Sequence, residues 1–113
     1  MDCIFCKIIN GEIPSTKVYE DAFVYAFEDI NPEAPVHVVI VPKMHIESLD
    51  ALDVSHKELI GHLQLMAALI AKEKGIADDG YRLVSNIGKH GGQTVFHLHY
   101  HILGGRQLQW PPG

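Results

Sequence analysis

The sequence His97-Leu98-His99-Tyr100-His101-Ile102-Leu103 alternates histidines with apolar residues near the end of a chain of 113 residues. Successive side chains of a β-strand point to opposite faces, so the three imidazoles share one face and the apolar residues point toward a core. The alternation predicts a final strand over residues 94–103, with the rings about 7 Å apart in a row. Because zinc–nitrogen bonds are only about 2.0–2.1 Å long, a straight row offers one metal ion at most one or two of these rings.

A glycine-rich segment, His90-Gly91-Gly92-Gln93-Thr94, immediately precedes the histidines. Glycines let backbone N–H groups converge on an anion such as a phosphate, and Gln93 and Thr94 add further donors. A neutral imidazole is a competent nucleophile toward phosphorus, and a neighbouring imidazolium can hold phosphate oxygens or protonate a leaving amine. This combination indicates covalent nucleotidyl transfer through a histidine. The simpler alternative is that the three histidines line a polar sheet face, or bind a metal without turnover.

The rest of the chain predicts one α+β domain with about five strands in a mostly antiparallel sheet. A short helix over 3–10 ends at Gly11. One long helix over 55–74 begins with a capping box of Ser55 and Glu58 and ends before Gly75. Apolar runs bounded by turn residues predict the strands, at 17–20, 23–27, 36–41, 81–86 and 94–103.

Composition limits the classes of function. The formal net charge is −5 and the basic residues are scattered, which argues against a nucleic-acid groove but not against a single nucleotide held by backbone N–H groups. No window approaches the roughly 18 apolar residues of a membrane span, and the N-terminus lacks a signal-peptide pattern. We therefore expect a cytoplasmic protein that does not contact a membrane.

Several segments together resemble the histidine triad superfamily, whose signature is His-φ-His-φ-His-φ-φ, with φ an apolar residue. Residues 97–103 fit that signature. The surrounding sequence is similar to the Hint branch, the histidine triad nucleotide-binding proteins. The final Trp110-Pro111-Pro112-Gly113 favours this branch over the dinucleoside polyphosphate branch. The similarity covers essentially the whole chain and is carried by residues 4–9, 27–32, 34–43, 91–96 and 103–113.

The resemblance implies a single histidine triad domain over residues 1–113, paired as a homodimer whose two sheets join into one. It implies that residues 104–113 form a tail that reaches the partner's site. The implied activity is hydrolysis of purine nucleoside 5′-phosphoramidates through a nucleotidyl intermediate on His99, with no cofactor required for catalysis. A dinucleoside polyphosphate hydrolase and a nucleotide-binding regulatory or adaptor protein are the alternatives.

The resemblance also assigns roles to individual residues. His101 contacts the phosphate and assists the leaving amine, His37 and His97 support the histidine cluster, and Asp29 holds the ribose hydroxyls. From residue types and spacing alone, the alternative for Asp29 is a solvated turn carboxylate. The alternative for the apolar residues that the family places around the base is a role in the core, and the alternative for the C-terminal tail is a free, flexible segment. Thr94 stands where many Hint proteins have serine, and it keeps the hydroxyl with a stiffer rotamer. The implied nucleotide contacts comprise apolar walls around the base at Ile4, Phe5, Ile8, Phe27 and Ile30, phosphate-side positions at Asn86, Gly92, Gln93, Thr94 and Val95, and the tail aromatic Trp110.

The two cysteines form a Cys3-x-x-Cys6 pair, which is too little for a secreted disulfide framework. The pair is compatible with half of a zinc site, a redox pair or two buried thiols. Several bacterial histidine triad proteins are similar in combining such a pair with two histidines. That resemblance implies a structural zinc site at Cys3, Cys6, His45 and His97. The remaining histidines at 56, 62 and 90 are expected to be solvated helix or loop residues.

Overall fold

Five strands form one antiparallel sheet in the computed structural model, which describes residues 3–113. The elements are α1 (Ile4–Ile9), β1 (Lys17–Glu20), β2 (Val24–Glu28), β3 (Val36–Pro42), α2 (Lys57–Glu73), β4 (Tyr81–Val84) and β5 (Tyr100–Gly104). Two short 3₁₀ turns, Leu49–Ala51 and Val54–His56, precede the long helix α2. The strand order across the sheet is β1-β2-β3-β5-β4, and the predicted α+β class is confirmed.

The central strand β3 is buried on both faces, as its continuous apolar run predicts. One face packs against α2 through Val38 and Ile40, together with Leu63 and Ile70 of the helix. The other face packs against α1 through residues that include Val39. The short helix α1 covers this second face with only six residues. The neighbouring positions on the same face are therefore available to polar side chains.

The last strand is shorter than predicted, because β5 begins at Tyr100 and the chain before it is not part of the sheet. The ladder with β3 stops at the pair Ile40 and Tyr100. Further along β3, the Pro42 carbonyl accepts a hydrogen bond from the His97 ring at 2.8 Å, so this carbonyl is not free for a strand partner. The amide of Leu98 instead donates to the Ile46 carbonyl. The strand prediction for residues 94–99 is wrong for this reason.

The predicted alternation of faces nevertheless holds across this irregular segment. The Phe5 ring of α1 meets the edges of the His97 and His99 rings, with centroids 5.9 and 4.9 Å away. Leu98, Tyr100 and Ile102 pack in the core on the α2 face. The centroids of His99 and His101 are 5.1 Å apart, closer than a flat strand predicts.

The start of the long helix also differs from its prediction. The α-helix begins at Lys57, after the 3₁₀ turn Val54–His56. The capping box consists of Asp53 and His56 rather than Ser55 and Glu58, because the Asp53 carboxylate accepts from the Ser55 amide and the His56 ring accepts from the Asp53 amide. Gly75 follows the helix with φ +75°, which fits the predicted C-terminal glycine.

His62 on α2 is not the solvated residue that its position suggests. Its Nε2 lies 2.6 Å from Asp21 Oδ2, which ties the β1–β2 turn to the helix. Burial favours a higher pKa for Asp21, but hydrogen bonds from the Phe23 and Val24 amides, His62 and Tyr19 outweigh it and hold that pKa well below its usual range. His56 caps the helix start as described, and His90 is exposed in a turn, as predicted.

Within residues 3–113, no helix combines the length and the apolar composition that crossing a bilayer requires.

Candidate functional site

Three histidines and one carboxylate meet on the α1 face of the sheet. His101 on β5 stands opposite Val39 of β3, and His37 lies at the start of β3 on the same face. His37 Nε2 is 2.8 Å from His101 Nδ1 and 3.3 Å from Asp29 Oδ2. The rings of His99 and His101 are neighbours, as given above. The fold thus brings together four residues to which the family resemblance gives roles: the nucleophile His99, the phosphate contact His101, the supporting His37 and the ribose contact Asp29.

The proton positions on His37 and His101 follow from one backbone group. The Glu33 amide donates to His37 Nδ1 at 3.0 Å, so this nitrogen carries the lone pair. A neutral His37 therefore has its hydrogen on Nε2 and donates it to His101 Nδ1. His101 in turn keeps its hydrogen on Nε2. Burial first, and then the nearby His99 and His37 rings, lower the pKa of His101 to about 4, so it is neutral near pH 7.

A second backbone group sets the proton position on His99. Its Nδ1 lies 2.7 Å from the His97 carbonyl oxygen, which only accepts hydrogen bonds, so Nδ1 carries the hydrogen. Nε2 is then the nitrogen with the lone pair. Burial lowers the pKa of His99, while the bond to the carbonyl opposes this shift. Ser85 on the segment after β4 donates to the His99 carbonyl at 2.9 Å and so helps to hold this residue.

The site therefore presents two differently prepared imidazoles side by side. His99 offers a lone pair on a buried neutral ring, which is the form that attacks an electrophile. His101 offers an N–H, which is the form that donates to an oxyanion or a leaving atom. A centroid separation of 5.1 Å allows both rings to contact one phosphate group.

A cluster of two cysteines and two histidines lies beside this site. Its four donor atoms, from Cys3, Cys6, His45 and His97, all lie within 4.8 Å of one another. Cys3 Sγ is 3.3 Å from His97 Nδ1, and Cys6 Sγ is 3.4 Å from His45 Nδ1. The two Nδ1 atoms are 3.2 Å apart. These are the four residues that the family resemblance implies as zinc ligands.

The cluster fits a tetrahedral zinc ion. Bonds of about 2.3 Å to sulfur and about 2.05 Å to nitrogen place neighbouring ligand atoms about 3.4–3.8 Å apart, close to the observed separations. His97 Nε2 donates to the Pro42 carbonyl, which leaves the Nδ1 lone pair directed at the cluster. Burial, followed by the hydrogen bond with Cys3, raises the pKa of the Cys6 thiol, a shift that a bound cation would reverse.

The glycine-rich segment provides fewer free donors than predicted. Both donors of the Gln93 side chain are used, since Nε2 lies 2.7 Å from the Glu47 carbonyl and 3.1 Å from the Val95 carbonyl. The Gln93 amide donates to the Gly88 carbonyl, so in this structure Gln93 holds the turn, and its contact with a phosphate stays a prediction. Asn86 likewise donates to the Gly91 carbonyl at 2.7 Å.

Two of the other phosphate-side positions, Thr94 and Val95, line a groove. Gly92 has φ +78°, which favours glycine, and Thr94 is exposed. A cavity of about 550 Å³ extends from the Thr94 side toward the cysteine cluster. Its lining comprises Cys3, Ile4, His45, Glu47, Thr94, Val95 and Phe96.

The apolar positions assigned to the base divide into two groups. Phe5, Ile8 and Phe27 are buried together, and the rings of Phe5 and Phe27 meet edge to face at 5.6 Å. Ile4 and Ile30 are exposed by 46% and 90%. Phe5 therefore forms the floor next to His99, while the two exposed isoleucines are open to a ligand.

The tail aromatic Trp110 does not lie in its own chain's site. It is 79% exposed, and the Arg82 guanidinium of β4 lies 6.0 Å from the ring centroid. Arg82 also donates to the Gln109 carbonyl at 3.0 Å, so the tail runs beside β4, one of the two edge strands of the sheet.

Sequence reasoning missed the backbone groups that prepare the histidines, namely the Glu33 amide and the His97 and Pro42 carbonyls. A main-chain donor has the same chemistry in every residue except proline, so no residue type marks it. Pro42 gave a partial signal, since a proline at the end of a strand interrupts the ladder. The bond from Ser85 has no sequence signal that we can identify.

Comparisons with known proteins agree with this geometry. Residues 2–109 match the family model described as scavenger mRNA decapping enzyme C-term binding. A purine nucleoside phosphoramidase from Escherichia coli K12 is 49% identical over 107 residues, covering 95% of this chain and 90% of that protein. A 14 kDa zinc-binding protein from Zea mays is 52% identical over 112 residues, covering 97% of this chain and 87% of that protein.

The similarity extends to three-dimensional structure. A crystal structure of a HIT family hydrolase from Legionella pneumophila Philadelphia 1 superposes with a TM-score of 0.98 at 47% identity. The superposition covers 99% of this chain and 100% of that one.

Proposed function

Because this chain belongs to the histidine triad family of hydrolases, we propose that it hydrolyses purine nucleoside 5′-phosphoramidates through a nucleotidyl intermediate on His99. The observation that carries the proposal is that two neighbouring imidazole rings hold their hydrogens on different nitrogens, on Nδ1 in His99 and on Nε2 in His101. His99 presents a lone pair on Nε2, and His101 presents a hydrogen on Nε2. A nucleophile beside a donor is the arrangement that a two-step transfer at phosphorus requires.

In the first step, His99 Nε2 attacks the α-phosphorus and the phosphorus–nitrogen bond breaks. The phosphoramidate nitrogen takes its proton from solvent and departs as a neutral amine. The His101 Nε2–H hydrogen-bonds to that nitrogen as the bond breaks and stays on the ring, because it is the only proton of a neutral imidazole. The His99 Nδ1–H stays on the His97 carbonyl and shares the positive charge that forms on the ring. The products of this step are a free amine and a nucleotidyl-histidine.

In the second step, water attacks the same phosphorus and the bond to His99 breaks. The proton released by the water passes to solvent, and the His101 Nε2–H remains in place beside the phosphate. The nucleoside monophosphate leaves, and both rings return to their starting forms. No net proton is gained or lost by the protein over the cycle.

We assign the nucleotide to the α1 face of the sheet. Asp29 lies at the edge of the histidine cluster, where its carboxylate can accept from the ribose hydroxyls. Ile4, Phe5, Ile8, Phe27 and Ile30 supply the apolar surface for the base, and Thr94 with the main chain of Gly92 and Val95 supplies the phosphate side. With a net charge of −5 and no concentrated basic face, the ligand is a single nucleotide rather than a nucleic acid.

We also propose that Cys3, Cys6, His45 and His97 hold a structural zinc ion. The donor separations and the orientation of His97 support this assignment. Four protein ligands complete a tetrahedral shell and leave no open position, so a bound zinc ion would stabilise the fold rather than activate water. Reduced thiols at such a site are consistent with the cytoplasm, the compartment we propose.

Turnover of two substrates tests the proposed reaction. We expect adenosine 5′-phosphoramidate to be hydrolysed with a kcat/KM at least about 100-fold above that for diadenosine tetraphosphate, since a nitrogen leaving group gains most from a positioned N–H. The attacking ring must be neutral, and its pKa is lowered by burial. The acid limb of kcat/KM therefore lies below the ordinary imidazole value of about 6.5. A preference for the tetraphosphate would transfer the assignment to a dinucleoside polyphosphate hydrolase.

We further propose that two copies of this chain pair through β4 to form one continuous sheet. β4 is an edge strand, and an edge offers unpaired backbone groups to another strand. Leu65 and Leu69 are exposed by 68% and 39% one turn apart on α2, which suits a helix that packs on a partner. The tail that carries Trp110 runs beside the same edge. We expect sedimentation equilibrium to give the mass of a dimer, and a monomeric mass at micromolar concentration would contradict the pairing.

A further inference from the structure

The C-terminal segment after β5 contacts the turn that precedes the central strand. Arg106 donates from Nη2 to the Glu33 carbonyl at 2.9 Å. Gly105 has φ +94°, and a side chain at this position would place its Cβ 2.9 Å from Pro35 Cβ. A glycine at 105 thus allows the segment to approach the turn closely enough for the arginine to reach.

The residue that Arg106 holds is the one that sets the proton positions in the site. Glu33 accepts from Arg106 through its carbonyl and donates to His37 Nδ1 through its amide. The His37 ring then donates to His101 Nδ1 at 2.8 Å, which leaves the His101 hydrogen on Nε2. A continuous series of three hydrogen bonds therefore links an exposed side chain to the donor nitrogen of the site.

Among residues 3–113, the Glu33 main chain forms hydrogen bonds only with the Arg106 side chain and the His37 ring. It lies outside the helices and strands, in an exposed turn between β2 and β3, where the main chain is not restrained by a ladder. Without the arginine, the turn can rotate its amide away from His37, because an exposed backbone group can bond to water instead. His37 Nδ1 would then be free to carry the hydrogen, and the bond to His101 would lose its direction.

We propose that Arg106 is a positioning residue for the reaction, which acts through Glu33 and His37 to keep the His101 Nε2–H directed at the leaving group. The inference rests on the proposed phosphoramidate hydrolysis. Its chemical consequence is specific to the leaving group. A departing amine nitrogen is stabilised by a positioned N–H as the phosphorus–nitrogen bond breaks, whereas a 4-nitrophenolate ion leaves readily without that hydrogen bond.

The test compares two substrates in the full-length protein. In Arg106→Gln, kcat/KM for adenosine 5′-phosphoramidate is expected to fall about tenfold, a partial loss of the hydrogen bond to the leaving nitrogen, and kcat/KM for the 4-nitrophenyl ester of AMP is expected to stay within about twofold. Arg106→Lys should recover part of the loss, because an ammonium group can donate one bond to the same carbonyl. Lys57→Gln removes one positive charge at the start of α2 and is expected to match the wild type on both substrates. Equal losses on both substrates in Arg106→Gln, or no loss, would overturn the proposal.

A spectroscopic measurement separates this inference from the proposed function. In ¹⁵N-labelled protein, the His37 Nε2–H signal is expected to be sharp in the wild type and weakened by exchange in Arg106→Gln. A wild type that turns over neither substrate would contradict the proposed function, and the ring signal would still report on the link. An unchanged His37 signal in Arg106→Gln would overturn the link itself, whatever the activity.

Discussion

Replacing His99 with alanine is expected to lower hydrolysis of adenosine 5′-phosphoramidate by at least about 10⁴-fold, the scale seen when a covalent nucleophile is removed. The substitution deletes the only ring whose Nδ1–H is held by the His97 carbonyl and whose Nε2 faces the substrate in our assignment. Binding of AMP should change little, because the ribose and base contacts come from other residues. Isothermal titration with AMP and single-turnover kinetics measure the two properties separately.

Two controls make this result specific to the nucleophile. His90→Ala removes an exposed histidine from the turn next to the site and is expected to retain wild-type turnover. His99→Ala leaves a space beside Phe5, which lies 4.9 Å from the His99 ring. Added imidazole can enter that space, and we expect it to restore part of the activity without forming a nucleotidyl-protein adduct. Unchanged turnover in His99→Ala would remove the enzyme interpretation and leave nucleotide binding as the function.

Most of the sheet could be predicted because each strand is a short apolar run bounded by turn residues in the sequence. β1 matches its prediction residue for residue, and the continuous apolar run of β3 predicts burial on both faces, as found. The final strand was predicted to begin too early, at residue 94 instead of Tyr100. Alternating apolar residues indicate which way the side chains point, but they do not indicate whether the backbone is paired with another strand. Residues 97 and 99 alternate correctly, yet the Pro42 carbonyl binds a ring instead of a strand.

The chemistry of the site could be predicted only in part. The residue types and their shared face follow from the spacing of the histidines. Which nitrogen of each ring carries the hydrogen depends on the Glu33 amide and the His97 carbonyl, and these groups have no sequence signature. Gln93 shows that a polar residue type does not identify a ligand contact. Its side chain suggested a contact with phosphate, but in this structure it bonds to the main chain of Gly88, Glu47 and Val95.

Zinc is expected at about one equivalent per chain in protein purified without chelators, and its loss is expected to be the largest single change in stability. A ligand present at 1,000 times its dissociation constant stabilises the native state by about 4 kcal/mol. In a chain of this size such a loss lowers the midpoint of thermal unfolding by about 10 °C or more. The cluster joins the first turn of α1 to the loop at His45 and to His97, so these segments lose a common anchor without the metal.

His45→Ala is the variant best suited to this test, because His45 is a proposed ligand outside the group of histidines assigned to the reaction. We expect its zinc content to fall below about a tenth of an equivalent and its unfolding midpoint to match that of wild-type protein treated with a chelator. His90→Ala removes an exposed histidine and should keep both zinc and the wild-type midpoint. Wild-type protein that contains less than about a tenth of an equivalent, or that unfolds at the same temperature after chelation, would show that the cluster is held by hydrogen bonds alone.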